Sequence, residues 1–238
     1  MSETASPRRA IGLIVPSSNR VVERVASLVL ARRPDVDCCI ARVPYGGILA
    51  EGGAGYQFEP FDRGALLLAD AGVDAICWNA TRGAVLGFAV DRELCRRIGD
   101  NTGIPAVTTA LATIEILLGN PEKRVGLITQ GDEAESLDVV RQFRSQGAEI
   151  VDHLWLGIAN NLDAAYLGGN ALLREARTLA NRSSLDTVLI WSTNLSGYAA
   201  RLAADDAAGF AILDSAEIGL NAALASADAR HRAELPIK

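Results

Sequence analysis

The polar side chains in this sequence best placed to do chemistry gather in six short stretches. These are Pro16 to Asn19, Asn79 to Gly83, Thr108-Thr109, Thr129 to Asp132, Ser192 to Asn194 and Asp214-Ser215. Hydroxyls and amides at the starts of helices hold carboxylates well, because a helix end presents unpaired N–H groups and partial positive charge. The same residue types also cap helices, so Thr81 and Thr193 carry both readings at once. The Arg82 guanidinium could clamp a carboxylate through two parallel hydrogen bonds, or instead face solvent or pair with Asp132 or Asp214. Ser192 has two readings. As a nucleophile its hydroxyl needs an adjacent general base; otherwise it hydrogen-bonds a ligand oxygen. Of the two histidines, His153 begins a strand segment and His231 lies in a polar tail. No Ser-His-Asp triad can therefore be read.

Composition narrows the partners. The chain has 238 residues, 49% hydrophobic and 22% charged, with a net charge of −6. That is the make-up of an ordinary globular protein, and it argues against nucleic acid or an anionic membrane surface as partner. It leaves room for a small anion, because a local site can be positive inside an acidic protein. Met1 to Arg9 has no apolar core of the kind a signal peptide needs, and Val21 to Leu30 contains Glu23 and Arg24, so no membrane span is expected. The cysteines Cys38, Cys39, Cys77 and Cys95 include no CxxC pair. Reduced, mostly buried thiols in a cytoplasmic protein are expected, without a metal site.

The elements that must position these stretches come in two similar sets. Ile11-Gly12-Leu13-Ile14-Val15 is answered by Val125-Gly126-Leu127-Ile128-Thr129, and Asp74 to Thr81 by Asp186 to Thr193. Gly103 to Ala110 is answered by Gly209 to Ala216, in the same order and at nearly constant spacing. The pattern predicts two α/β halves, each a parallel sheet flanked by helices, with a cleft between them. Ligands in such sheets bind beyond the carboxyl ends of the strands, where all six polar stretches fall. Gly119-Asn120-Pro121 is the clearest breaker. The expected division is 1–119 and 120–214, with a closing helix in 215–238 that can pack back on the first half. Predicted helices include Asp62 to Ala71, Asp91 to Gly99, an unbroken Asp163 to Ala180, and Ser215 to Ala227. The glycine-rich stretch Tyr45 to Gly55 reads as a lid or as a surface connection.

The stretches resemble the aspartate/glutamate racemase superfamily, in its branch of maleate cis–trans isomerases and arylmalonate decarboxylases. Ile11 to Asn19 resembles the branch's first strand and substrate loop. Ala71-Gly-Val-Asp-Ala-Ile76 with Ala80-Thr81-Arg82-Gly83 is similar to its Ala-Gly-Val-Asp strand ending in Cys-Thr-Ser-Gly. Leu189 to Leu195 is similar to its strand ending in Ser-Cys-Thr-Asn-Leu. The resemblance implies two flavodoxin-like halves with pseudo-twofold symmetry and a site between them. It also implies a small carboxylate substrate, no metal, no organic cofactor, and a homo-oligomer.

The resemblance also implies site residues. Ala80 and Ser192 stand where the branch's two cysteines stand. Ser17, Ser18, Asn19, Thr81, Arg82, Thr129, Asn161, Thr193 and Asn194 stand at or beside its carboxylate contacts. The tyrosine of its Thr-Pro-Tyr is missing from Thr129-Gln130-Gly131, with Tyr45, Tyr56 and Tyr198 as possible substitutes. Cys77 is expected in the core and does not replace the lost thiols. Three readings stay open. One is an enzyme working next to a carboxylate by isomerase, decarboxylase or hydrolase-like chemistry. The second is a non-catalytic carboxylate-binding protein derived from such an enzyme, and the third a chain whose two cysteines were removed by engineering.

Overall fold

A computed structural model describes residues 8–44, 55–204 and 208–234. The first half holds strands β1 (Arg9–Pro16), β2 (Val36–Val43), β3 (Ala75–Trp78) and β4 (Ala106–Thr108). Its helices are α1 (Val22–Leu30), α2 (Phe58–Asp70), α3 (Gly83–Leu86), α4 (Phe88–Thr102) and α5 (Thr109–Leu118). The second holds β5 (Val125–Thr129), β6 (Ile150–Trp155), β7 (Thr187–Trp191) and β8 (Ala211–Asp214). Its helices are α6 (Glu133–Ser145), α7 (Asn161–Tyr166), α8 (Gly169–Ser183), α9 (Gly197–Ala203) and α10 (Ser215–Glu234).

Each half builds one four-stranded sheet, ordered β2-β1-β3-β4 and β6-β5-β7-β8, and every pairing is parallel. The two α/β halves predicted from the repeat are therefore present, with the same strand order in both. The central strands β1, β3, β5 and β7 are apolar almost throughout and buried along their length. That is the composition a strand covered on both faces needs. Each fully buried Ile or Leu among them contributes about 1.5–3 kcal/mol.

The matched glycines of the repeat are required for one shared reason. A Cβ on Gly12 would lie 2.9 Å from Leu68 of α2, and one on Gly126 would lie 2.2 Å from Leu185 and 3.1 Å from Leu179 of α8. In both halves a leucine of the covering helix rests directly on the backbone of the first strand.

The last helices of the two halves are exchanged. Ala216, Leu220, Ala223 and Leu224 of α10 join Ile11, Leu13 and Cys77 of the first sheet in one cluster. Ala110, Ile114 and Leu117 of α5 join Leu127, Leu189 and Trp191 of the second sheet in another. This double crossing fixes the halves against each other and brings the carboxyl ends of the two sheets to one cleft.

Several element limits differ from the sequence expectation. The helix expected over Asp163 to Ala180 is two helices, because Leu167 and Gly168 are extended between α7 and α8. The helix α4 begins before Asp91, and α3 precedes it, the two separated by Gly87 at φ 95°. The helix α10 continues to Glu234 and includes His231, which is not in a tail. The stretch Tyr45 to Gly55 falls outside the described residues apart from Gly55. Among the described residues no helix is long and apolar enough to cross a membrane.

Candidate functional site

A cavity of about 510 Å³ opens where β1, β3, β5 and β7 end. Ala80, Thr81 and Arg82 enter it from the first half, and Thr129, Ser192, Thr193 and Asn194 from the second. Asn19 and Asn161 complete the set. Residues 80 and 192 thus line one cavity. Ser17 and Ser18 are not among its lining residues. Ser18 stands behind the wall, where its Oγ accepts from Asn161 Nδ2 at 2.9 Å.

The walls are laced across the cleft. Asn19 Nδ2 donates to the Thr193 carbonyl at 3.2 Å and to Thr193 Oγ1 at 3.1 Å, while Asn19 Oδ1 accepts from the N–H groups of Val21 and Val22, each at 3.0 Å. Asn19 therefore starts α1 and ties the halves together, and both its amide atoms are engaged by protein. The Asn194 amide does the same, with Oδ1 accepting from the Arg20 N–H at 3.0 Å and Nδ2 donating to the Asn161 carbonyl at 2.5 Å. Neither Thr81 nor Thr193 caps the helix that follows. The caps of α3 and α9 are Arg82 and Ser196, without side-chain bonds.

Ser192 is surrounded by amides. Its Oγ donates to Gln130 Oε1 at 2.8 Å and accepts from the Asn194 N–H at 3.2 Å. Neither is a base, so among the described residues nothing bonded to the hydroxyl can take its proton. His153 bonds Ser136 on the flank of α6 at 2.9 Å. His231 lies near the far end of α10.

Arg82 pairs with Glu135 of α6 at 3.7 Å, not with Asp132 or Asp214, and both members are part-exposed. The reason is spatial. Glu135 folds over Gly131, where a Cβ would lie 2.1 Å from its Oε2. Asp132 is occupied as the cap of α6, accepting from the Glu135 N–H at 2.9 Å. Asp214 is fully buried at the start of α10, accepting from the Glu217 N–H at 2.8 Å.

Two residues of the wall hold unsatisfied polar atoms. Thr129 Oγ1 and Trp191 Nε1 are buried without a hydrogen-bond partner among the described residues. They are direct partners in the β5–β7 register and both line the cavity. Buried unpaired groups of this kind cost about 1–3 kcal/mol each, and a ligand able to pair with them recovers it.

Behind the opposite wall, Trp78 Nε1 donates to Tyr56 Oη at 3.1 Å and Tyr56 Oη donates to Asp91 Oδ1 at 2.8 Å. Burial pushes the Asp91 carboxyl up to about 6 and that of Asp214 up to about 7. Burial, with Asp91 beside it, also raises the Tyr56 hydroxyl well above its usual value. Tyr56 and Tyr198 are buried and do not line the cavity, so neither supplies the missing hydroxyl. Tyr45 lies outside the described residues. Cys77 is fully buried, and burial raises its thiol well above the ordinary value.

Glu135, Trp78 and Trp191 belong to the cavity wall without any role expected from sequence, and Gln130, part of a polar stretch there, had no individual role assigned. For Gln130 a signal existed: it follows Thr129 directly at the end of an apolar strand, where ligands of parallel sheets bind.

The comparisons with known proteins agree with this architecture. Residues 48–235 match the family model described as arylmalonate decarboxylase. A maleate isomerase of Nocardia farcinica is 26% identical over 190 residues, covering 76% of this chain and 75% of that protein. A maleate isomerase of Pseudomonas putida is 31% identical over 166 residues, covering 65% of this chain and 66% of that protein. A maleate isomerase from Pseudomonas putida S16, solved with maleate, superposes with a TM-score of 0.82 at 22% identity over 93% of both chains.

Proposed function

Because this chain belongs to the arylmalonate decarboxylase family, we propose that it is a cofactor-independent enzyme acting on a small carboxylate, and that its reaction is loss of carbon dioxide. The observation that carries the reading is the pair of buried, unpartnered groups on Thr129 and Trp191 in the wall of the shared cavity. Donors fixed in place before the substrate arrives stabilise charge that develops during reaction, by up to about 3 kcal/mol each.

That no base bonds Ser192 among the described residues favours some reaction types over others. Racemisation and one-base isomerisation begin with removal of a proton from carbon, and hydrolysis or ring-opening begins with attack by an activated nucleophile. Decarboxylation begins from a carboxylate already ionised at neutral pH. The carbon–carbon bond breaks, carbon dioxide departs, and the electron pair passes to the remaining carboxylate as an enediolate. Thr81, Thr193, Thr129 and the adjoining N–H groups hold that charge, and water in the cavity returns a proton to carbon. Ser192 and Ala80 flank the reacting carbon at the places of the branch's thiols, Ser192 as a contact and Ala80 as a spacer.

Incubation with malonates, other small dicarboxylates and hydantoins, followed by NMR, tests this. Loss of a malonate signal with release of carbon dioxide is expected. A second reading, a binding protein that has kept the pocket, is favoured by the engagement of the Ser192 proton with Gln130 at 2.8 Å. No turnover of any compound, together with ligand-induced thermal stabilisation, would establish that reading instead.

A further inference from the structure

Ser192 lines the cavity with its hydrogen already committed. Its hydrogen goes to Gln130 Oε1 at 2.8 Å, and one lone pair accepts from the Asn194 N–H at 3.2 Å. The orientation of Gln130 is fixed from behind. Its Nε2 lies 3.3 Å from the Ile158 carbonyl oxygen and 3.0 Å from Asn161 Oδ1. A backbone carbonyl can only accept, so turning the amide over would set two oxygens against each other. Asn161 passes the direction on, its Nδ2 donating to Ser18 Oγ at 2.9 Å. The chain Ser192 to Gln130 to Asn161 to Ser18 therefore runs one way across the cleft. A hydroxyl that has donated once and accepted once keeps one acceptor site.

From this geometry we propose that the ligand is a 2-hydroxy carboxylate, whose hydroxyl donates to Ser192 Oγ while its carboxylate lies against Thr193 and Thr129. The proposal rests on the reading of the cavity as a carboxylate site. Ser192 and Thr193 line the same cavity, so a hydroxyl close to the carboxylate can reach Ser192 while the carboxylate lies against Thr193. An ammonium fits less well. Ser192 is neutral and only 8% exposed, and the carboxylates lining the cavity are occupied, Asp132 by the α6 cap and Glu135 by Arg82.

Matched pairs test it: calorimetric titration of the full chain with succinate and malate, malonate and tartronate, propionate and lactate, and with aspartate. Each hydroxylated member should bind roughly 3–10-fold more tightly than its parent, the worth of one neutral hydrogen bond. Ser192→Ala should erase the difference. Equal binding within the pairs, or a preference that survives Ser192→Ala, overturns the hydroxyl assignment and leaves the carboxylate reading standing. Aspartate binding more tightly than malate also overturns it, in favour of an ammonium. Failure of every carboxylate to bind overturns the carboxylate reading itself.

Discussion

Asn19 donates to Thr193, 174 residues further along the chain, with an amide that also starts α1. One side chain from the first half thus sets the position of the loop that carries Ser192 in the second. Together with the bonds of Asn194 to Arg20 and of Asn161 to Ser18, it ties the two halves across the cavity.

Asn19→Ala should lower stability by about 2–3 kcal/mol, since it strips the start of α1 of its acceptor and leaves buried N–H groups unpaired. Urea unfolding measures the loss. Carboxylate affinity should fall alongside, because the Thr193 loop loses its tether.

Arg82→Ala should separate stability from binding. The Arg82–Glu135 pair is part-exposed at 3.7 Å, so its loss should move unfolding free energy by no more than about 0.5 kcal/mol. Dicarboxylate binding, measured by titration calorimetry, should weaken roughly tenfold, because the cavity loses its one lining cation among the described residues.

Asp214 should make stability fall as pH rises. Its carboxyl is raised from 3.8 to about 7 by burial, so between those values the folded chain holds a proton that the unfolded chain has released. The contribution is complete below the unfolded value and is lost as pH climbs through about 7. Asp91, raised to about 6, acts in the same direction. Asp214→Asn, which keeps the acceptor for the Glu217 N–H, should flatten the decline. The variant should gain on the parent by a few kcal/mol (order of magnitude) between pH 5 and 8 in urea unfolding.

Ala80→Cys with Ser192→Cys should create measurable maleate isomerisation if the two positions are equivalent to the branch's thiol pair. A thiolate is a competent base and nucleophile where a serine hydroxyl is not. Fumarate formation by NMR reads the gain. A folded, ligand-binding double variant without it would argue against the placement of the reacting carbon between these residues.

The architecture was legible because a buried parallel strand must be an apolar run and because the chain carries such runs twice. Matched segments such as Ile11 to Val15 and Val125 to Thr129 implied two similar parallel α/β halves, while the order of the strands within each sheet came from the structure. The family was legible from the loops that close those strands. Less legible were elements whose limits depend on neighbours. The break between α7 and α8 lies at Leu167 and Gly168, where Gly168-Gly169 offered a breaker signal that the apolar periodicity on either side outweighed in the reading of one helix.

By itself, then, the sequence determined the two sheets, the ends of the strands as the place to look, and the polar residues that meet there, because strand polarity and hydrophobic burial follow from residue order. The partners of those residues were decided only in three dimensions. Arg82 meets Glu135 rather than an aspartate because Gly131 leaves space for it, and Ser18 stands behind Asn161 rather than in the cavity. The direction of the Ser192 hydroxyl belongs to the same class. A hydrogen bond runs toward whichever acceptor the fold brings within 3 Å, and Gln130 reaches that position only when β5 and β7 are side by side.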